Sequence, residues 1–102
     1  MTIPTQRVLE ALLDDPTAEQ YGLEIGTAAG LRSGTVHPIL ARLEGYGWLS
    51  SRWEDVDPSA EGRPPRRYYR LTADGAQAAR TALARAYRPS IAPRLRPQPG
   101  QA

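Results

Sequence analysis

The first apolar positions of the chain repeat with the spacing of one helix face. Val8, Leu9, Leu12 and Leu13 recur at intervals of three and four residues, with Ile3 ahead of them. The tripeptide DDP follows directly, and proline interrupts a helix because it lacks a backbone N–H and clashes with the preceding turn. The sequence therefore predicts a first amphipathic helix that ends before this tripeptide.

A second helix is predicted over residues 18–28. Thr17 has a side chain suited to the N-cap position, and Gln20 three residues later completes a capping-box pattern. Three large side chains are expected near the core: Tyr21, Leu23 and Ile25. Gly30 is expected to end the helix. Gly26 inside it costs about 1 kcal/mol relative to alanine, and a following helix that crosses close to its backbone would offset that cost.

The third predicted helix separates apolar and polar positions most clearly. Ser33 is a suitable N-cap residue, and Pro38 lies in or just beyond the first turn, where proline is tolerated. The buried stripe consists of Val36, Ile39, Leu40 and Leu43. The opposite face carries Thr35, His37, Ala41 and Arg42. Two helices joined by the short turn AGLRS, with a small residue where they cross, form a helix-turn-helix.

Beyond Gly47 the pattern changes from helical to alternating. WLSSRWEDV and RRYYRL both have the alternation of strands, and the turn-rich DPSAEGRPP separates them. This arrangement predicts a two-stranded β-hairpin with a long loop. In the second strand, Tyr69 and Leu71 are expected to face the core, whereas Tyr68 and Arg70 are expected to face outward.

Thr72 is expected to cap a fourth helix over residues 73–88, which is rich in alanine and arginine. Prolines recur too often after that point for a helix to continue, so residues 89–102 are expected to form a disordered tail. Helix, helix-turn-helix and hairpin in this order form a winged helix. The predicted fold class is α+β and mainly helical, with a winged helix-turn-helix domain over residues 1–72, a two-stranded wing and one C-terminal helix.

Charge is divided unevenly along the chain. Residues 1–62 contain four arginines and ten acidic residues, a net charge of −6, whereas residues 63–102 contain nine arginines and one acidic residue, a net charge of +8. Every basic residue is arginine rather than lysine, which a GC-rich genome explains at least as well as phosphate recognition does. The asymmetry in position instead indicates an anionic partner that the second half approaches.

Residue types narrow the range of functions. The chain has no cysteine, and His37 is its one histidine, so a Cys-based zinc site and a His-based triad are excluded. No nucleophile–base pair, phosphate-cradling loop or metal-ligand set is found, and neither enzymatic activity nor a cofactor is predicted. The acidic cluster of Glu54, Asp55 and Asp57 is interpreted as a solvated strand end. Without a signal peptide or an apolar run of roughly 18 residues, a cytoplasmic protein with no membrane partner is expected.

Two segments resemble the PadR family of transcriptional regulators. GLRSGTVHPILARLEGYGWL is similar to that family's helix-turn-helix pattern, and RPPRRYYRLTADG is similar to its wing-exit signature, Arg-Pro-x-(Arg/Lys)-x-Tyr-x-Leu-Thr-x-x-Gly. Both occur in the family's order and spacing, and the resemblance covers about residues 3–88. His37 stands where the family usually has tyrosine. The single helix after the wing resembles the short PadR type, which lacks the usual long dimerisation domain.

The resemblance implies a repressor that binds double-stranded DNA at an inverted-repeat operator. Helix three would contact bases while the wing contacts phosphates or a minor groove. The DNA-binding candidates are Ser33, Thr35, Val36, His37 and Arg42 in helix three, and Arg63, Arg66 and Arg67 in the wing. The alternative interpretation of the helix face is a solvated polar surface, and that of the wing is a flexible charged loop. His37 is open to three roles: a DNA contact, a surface residue or a pH-sensitive group.

The resemblance also implies a homodimer formed through the last helix, with help from helix one. The candidate dimerisation residues are Leu9, Leu83 and Tyr87. Leu83 and Tyr87 lie four residues apart, where side chains stack on one helix face. A sixteen-residue helix runs about 24 Å, so its far end is expected to project beyond the domain's own core.

Two further possibilities concern partners. Trp48 and Trp53 could line a pocket for a flat small-molecule effector, since such ligands bind between aromatic rings, although packing of the wing onto the helices explains at least one of them as well. The alternative to DNA binding is a winged helix that recognises a protein, as an antirepressor or as a heterodimer partner, with the basic wing docked on an acidic surface.

Overall fold

The computed structural model describes the backbone of residues 1–95 and the side chains of residues 1–86. Within that range the elements are α1 (Ile3–Leu13), β1 (Gln20–Tyr21), α2 (Gly22–Ala29), α3 (Ser33–Gly45), β2 (Leu49–Trp53), α4 (Pro58–Glu61), β3 (Arg67–Leu71) and α5 (Ala73–Leu95). The strands form one antiparallel sheet in the order β1-β3-β2. The α+β winged-helix class is therefore confirmed, but its sheet has three strands and not two.

The first helix begins and ends as the sequence pattern predicts. Thr2 is its N-cap residue, and the Thr2 hydroxyl accepts a hydrogen bond from the Thr5 N–H at 3.3 Å. This bond satisfies one of the N–H groups that have no partner within the helix. The buried face carries Val8, Leu9 and Leu12.

The predicted start of the second helix is wrong. Residues 20–21 are extended and pair with β3, with Gln20 opposite Tyr69 and Tyr21 opposite Tyr68. The helix therefore begins at Gly22, and the Glu24 carboxylate accepts a hydrogen bond from the Tyr21 N–H at 3.0 Å. A strand pair between residues so distant in sequence leaves no local pattern, whereas Thr17 and Gln20 happen to match a capping box.

The close crossing predicted at Gly26 is confirmed. A Cβ atom added there would lie 2.9 Å from the Leu31 carbonyl oxygen and 3.3 Å from Val36 Cγ2. The chain after α2 and the first turns of α3 therefore approach the Gly26 backbone more closely than an alanine permits. Gly30 ends α2 with φ of 70°, a left-handed conformation that favours glycine.

Helix α3 has the predicted buried stripe, made of Val36, Ile39, Leu40 and Leu43. Its N-cap residue is Arg32 and not Ser33, which is already the first residue of the helix. Pro38 lies inside the helix, where its missing N–H costs one intrahelical hydrogen bond. The helix ends at Gly45, directly before the turn that leads to the wing.

The hairpin register agrees with the predicted alternation. Leu49 lies opposite Leu71, and Ser51 lies opposite Tyr69. Tyr69 and Leu71 are buried and Arg70 is exposed, as predicted. The loop between the strands contains a short helix, α4, which the sequence pattern missed because Asp-Pro-Ser reads as a turn.

Helix α5 begins after Thr72, whose hydroxyl accepts a hydrogen bond from the Gly75 N–H at 2.9 Å. The same hydroxyl donates to the Gly47 carbonyl oxygen at 2.9 Å, which ties the start of α5 to the end of α3. The helix continues to Leu95, seven residues beyond the predicted end at residue 88. The prediction that prolines end this helix is therefore wrong, although each interior proline still lacks the N–H of one intrahelical hydrogen bond. The predicted tail beyond Leu95 lies outside the described residues.

The core draws on every large element of the fold. Helices α1, α2 and α3 surround its centre, while β2, β3 and α5 close one side. Its largest fully buried side chains are Leu9, Leu12, Ile25, Leu40, Leu43, Val8 and Val36. Leu83 of α5 belongs to the same cluster. The last helix therefore packs against the core over about its first three turns, and not only at its first residues.

Candidate nucleic-acid interface

The solvent face of α3 is polar and unobstructed. Ser33, Thr35, His37 and Arg42 are all exposed, as the sequence predicts. Val36 is fully buried in the core, so its assignment as a DNA-contacting residue is wrong. It lies one position from two exposed residues, but the turn of 100° per residue places it on the core side.

Two arginines flank this face. Arg32 at the N-cap position and Arg42 in the last turn are both exposed. Among the side chains of residues 1–86, no carboxylate lies within salt-bridge distance of either one. Both guanidinium groups are therefore free to bind an anion or a base edge. Sequence reasoning missed Arg32, although its place directly before a predicted N-cap was a usable signal.

His37 packs over the start of α2. A Cβ atom added at Gly22 would lie 2.8 Å from Cε1 of the His37 ring. The glycine thus leaves the space that the imidazole occupies between α2 and α3. The ring remains exposed on its other side, which places it at the edge of the polar face of α3.

The wing is held by an ion pair. Arg63 donates hydrogen bonds to both carboxylate oxygens of Glu54, at 2.7 and 3.1 Å, and the Arg66 N–H donates to Glu54 at 3.2 Å. The hydrogen bonds from Arg63 are the main reason why the pKa of the Glu54 carboxyl falls to about 2. The Glu54 side chain is only 16% exposed. Arg63 is a predicted DNA-binding residue, but its main contact within the fold is this carboxylate.

The other two wing arginines are stacked on aromatic rings. The Arg66 guanidinium lies 4.4 Å from the ring centre of Tyr21, and that of Arg67 lies 5.1 Å from the ring centre of Trp53. Arg67 also donates to the Ser51 hydroxyl at 3.1 Å. Both side chains are half-buried. Stacking orients the Arg66 guanidinium while its edge N–H groups stay available to a phosphate. The Arg67 guanidinium also lies 3.7 Å from the Glu44 carboxylate, which matches part of its charge.

Helix α3 and the wing meet at a groove of about 410 Å³. Its walls are Tyr21, Gly22, Leu23, His37, Trp53, Pro65, Arg66, Arg67 and Tyr69. The groove thus joins a residue of the α3 face to two wing arginines. Sequence reasoning placed Tyr21 in the core and did not connect it with the wing, because the pairing of β1 with β3 brings them together.

Two of the three predicted dimerisation residues, Leu9 and Leu83, are not on the surface. Leu9 is fully buried, and Leu83 is 9% exposed; both belong to the domain's own core. They are therefore unavailable to a second copy, which corrects the prediction for these two leucines. The side chain of Tyr87 lies outside the described residues. Helix α5 reaches α1 because both helices share one side of the core, which sequence periodicity alone does not reveal.

Comparisons with known proteins agree with this architecture. A family model described as the transcriptional regulator PadR-like family matches residues 8–81, more than half of the chain. This chain belongs to the PadR-like family. The fold and the family together identify it as a winged-helix transcriptional regulator.

Solved structures similar to this PadR-like chain include a PadR family transcriptional regulator from Eggerthella lenta, with 26% sequence identity and a TM-score of 0.65 over 89% of this chain and 82% of that one. A PadR-like transcription factor from Bacteroides fragilis has 23% identity and a TM-score of 0.63, over 86% and 87% of the two chains. The PcaV regulator from Streptomyces coelicolor, solved with its natural ligand, has 28% identity and a TM-score of 0.62, over 91% and 62%. A search of curated proteins finds no match.

The described part of this PadR-like chain has neither a metal-binding cluster nor a membrane-spanning helix. Among the described residues, no group of three or more histidine, aspartate or glutamate side chains has an arrangement that could hold a metal ion. Asp57 of the acidic cluster accepts a hydrogen bond from the Ser59 N–H and so caps α4. Within residues 1–95, no helix is long and apolar enough to cross a membrane.

The pKa of Glu54 predicts how wing stability depends on pH. Because the folded-state pKa of about 2 lies below the ordinary 4.5, the pairing stabilises the fold above about pH 4.5, and this contribution is lost as pH falls toward 2. We expect Glu54→Gln to lower the free energy of unfolding at pH 6, measured by urea denaturation. The difference from the parent protein should shrink between these two pH values. A difference that is constant with pH would contradict the ion-pair account.

Proposed function

We propose that this chain is a transcriptional repressor that binds duplex DNA as a homodimer at an inverted repeat. The observation that carries the proposal is the groove at which His37 of α3 meets Arg66 and Arg67 of the wing. Because one groove joins them, the α3 face and the wing can engage the same anionic partner. The excess of arginine in the second half of the chain supports a partner with many phosphates.

The two elements have different roles in this proposal. The face of α3 enters the major groove, where Arg42 and Arg32 can donate to guanine or phosphate and Thr35 can contact a thymine methyl group. Arg66 and Arg67 contact the backbone, which positions the protein without reading sequence. Arg63 acts indirectly, because its hydrogen bonds to Glu54 hold the loop that carries the other two arginines.

Base reading by α3 is tested with Arg42→Ala and Thr35→Ala. One good base contact is worth about 1–3 kcal/mol, so we expect each variant to lose roughly 5- to 150-fold in operator affinity and much less affinity for random-sequence DNA. Fluorescence anisotropy with an operator selected from random sequence measures both. Arg7→Ala, which removes an exposed arginine that belongs neither to α3 nor to the wing, is the matched control. Equal losses on the two DNAs would assign these residues to phosphate contact instead.

Backbone contact by the wing is tested through salt dependence. Arg66→Ala should reduce the slope of log K against log salt by about 0.9 on any duplex, because one phosphate contact is lost. Arg63→Ala is the informative comparison: the charge of Arg63 is matched by Glu54, so its removal should lower wing stability more than it changes the slope. An unchanged slope for Arg66→Ala would show that this side chain does not contact DNA.

Dimerisation is proposed through the open side of α1 and α5. Met1 and Ile3 are large apolar residues that are 56% and 59% exposed. Met1 lines a shallow surface depression together with Ala82, Arg85 and Ala86 of α5. Small residues there let a helix of a second copy approach closely. Analytical ultracentrifugation at micromolar concentration should show a dimer, and Ile3→Glu should shift it toward monomer; a monomer even with operator present would contradict the proposal.

Response to a small molecule is part of the proposed function. PcaV, a structural neighbour with 28% identity, was solved in complex with its natural ligand. Repression relieved by a ligand would require that the ligand and operator bind different states of the protein. The test is whether a compound that binds this chain lowers its operator affinity.

Exposed apolar side chains beside the groove favour one alternative function, recognition of a protein. Leu23 and Trp53 are 66% and 60% exposed, and both line the groove between α3 and the wing. A winged helix that served as an antirepressor or heterodimer partner would use such residues. Binding to duplex DNA no stronger than to a random polyanion would favour this alternative.

A further inference from the structure

A second concave surface lies away from α3 and the groove. This cleft, of about 580 Å³, is formed by the chain between α1 and β1, by β2 and β3, and by the first turns of α5. Its lining includes Arg70, Arg80, Thr17, Ser50, Ala73 and Ala76. None of its lining residues belongs to the α3 face or to the groove.

The two arginines give the cleft a positive charge without a matching negative one. Arg70 and Arg80 are exposed, and neither has a salt bridge within the part of the chain whose side chains are described. The lining contains no carboxylate. Glu19 lies near enough to interact with Arg70, but it is held by Arg52 at 2.7 and 2.8 Å. Neither arginine therefore has a carboxylate partner among the described side chains.

The other lining groups suit the oxygens of such an anion. Thr17 and Ser50 each carry a hydroxyl that makes no hydrogen bond to any described residue. The hydroxyl of Thr72 is not available, because it donates to Gly47 and accepts from Gly75. Ser50 lies directly opposite Arg70 in the sheet, so a hydroxyl and a guanidinium point from the same strand pair into the same space.

We propose that this cleft binds a small organic molecule that carries a phosphate group. A guanidinium group can donate two parallel hydrogen bonds to a phosphate group. Two guanidinium groups and two hydroxyls can together donate hydrogen bonds to most of the phosphate oxygens. The volume falls in the range of about 300–1,000 Å³ that is typical of small-molecule sites. It is larger than inorganic phosphate needs, and Ala73 and Ala76 leave a smooth wall for the organic part.

A molecule bound in the cleft contacts both β3 and α5. These two elements can move apart only if the cleft opens. Arg70 belongs to β3 at the base of the wing, and Arg80 belongs to α5. A ligand that both arginines hold therefore fixes the angle between the wing and the last helix. This regulatory consequence rests on the proposed DNA-binding function, whereas binding of the phosphate compound does not.

The test is a titration of the full chain, without DNA and in a buffer free of phosphate. The probes are inorganic phosphate, pyrophosphate, ribose 5-phosphate and AMP, with ribose as the uncharged reference. Arginine side-chain N–H resonances in ¹⁵N NMR spectra report contact, and calorimetry gives Kd. We expect the resonances of Arg70 and Arg80 to shift with at least one organic phosphate, which should bind more tightly than inorganic phosphate. Ribose should have no effect.

Variants distinguish binding in the cleft from non-specific attraction of anions to a positively charged protein. Arg70→Gln and Arg80→Gln should each weaken binding by tenfold or more, in line with the loss of a charged hydrogen bond. Arg7→Gln removes the same charge at an exposed position outside the cleft and should leave Kd unchanged. Ala73→Phe, at an exposed position of the lining, should block the organic phosphate without changing the charge. Thermal melts of each variant verify that it is folded.

Three outcomes would overturn the inference. The first is that none of the four phosphate probes shifts Arg70 or Arg80 up to about 10 mM, a range in which even weak sites bind. The second is an equal loss of binding in Arg7→Gln. The third is that Arg70→Gln and Arg80→Gln lower the salt slope of DNA binding as the wing variants do, which would make the cleft part of the DNA interface. A failure of DNA binding alone would not affect the titration.

Discussion

Leu83→Arg should strongly destabilise the domain and should not yield a monomer as stable as the parent protein. Leu83 is only 9% exposed and packs in the core between α5 and the other helices. Loss of its packing costs about 2–5 kcal/mol, and the guanidinium would be taken out of water with no partner. Because a small domain is stable by only about 5–15 kcal/mol, we expect a loss of at least about 3 kcal/mol in urea denaturation followed by circular dichroism.

The control is Thr81→Arg, which adds the same side chain at an exposed position of α5. It should leave the free energy of unfolding nearly unchanged. If Leu83→Arg instead unfolds at the urea concentration of the parent protein and sediments as a monomer, then Leu83 contributes to a dimer contact and its burial in this structure is not the main source of its energy.

Gly75→Ala should have the second large effect. A Cβ atom at this position would lie 2.0 Å from the Trp48 carbonyl oxygen and 2.6 Å from its Cα atom. These are backbone atoms at the junction of α3 and the wing, so the contact is relieved only if α5 moves. We expect a loss of about 2–3 kcal/mol, typical of overpacking, in spite of alanine's gain of about 1 kcal/mol in helix propensity.

Gly45→Ala is the matched control for this change. Gly45 also lies in a helix, but a Cβ atom there meets nothing within 4 Å. Its substitution should be neutral or slightly stabilising. If Gly75→Ala were as stable as the parent protein, then α5 would not be held against the Trp48 backbone as closely as described. That outcome would also mean that close packing on Trp48 does not explain why the segment Leu-Thr-x-x-Gly, residues 71–75, ends in glycine.

Some features of the candidate site follow from local sequence alone. The polar face of α3, with Thr35, His37 and Arg42, follows from a period of 3.6 residues, because the apolar stripe fixes which side is buried. Alternation likewise places Tyr69 and Leu71 inward. The order of helix, helix-turn-helix and hairpin predicts the winged-helix arrangement, which the structure confirms. The match of the family model to residues 8–81 confirms the resemblance to the PadR family.

Contacts between distant segments could not be predicted in this way. The pairing of Glu54 with Arg63 depends on how the loop around α4 folds back, and no periodic pattern specifies that path. The stacking of Arg66 on Tyr21 depends on the pairing of β1 with β3, two segments far apart in sequence. Sequence reasoning therefore found the arginines of the wing but not their partners.

The sequence by itself determined the order and the buried faces of the elements, because helix and strand periods are local properties that each segment expresses on its own. Only the tertiary structure decided which side chains are exposed and which are buried or paired. It buried Leu9, Val36 and Leu83 in one core, held Arg63 on Glu54, and left Arg32 and Arg42 exposed. The physical reason is that burial and ion pairing depend on which faces pack together. The apolar periodicity of one segment does not indicate which other segment packs against it.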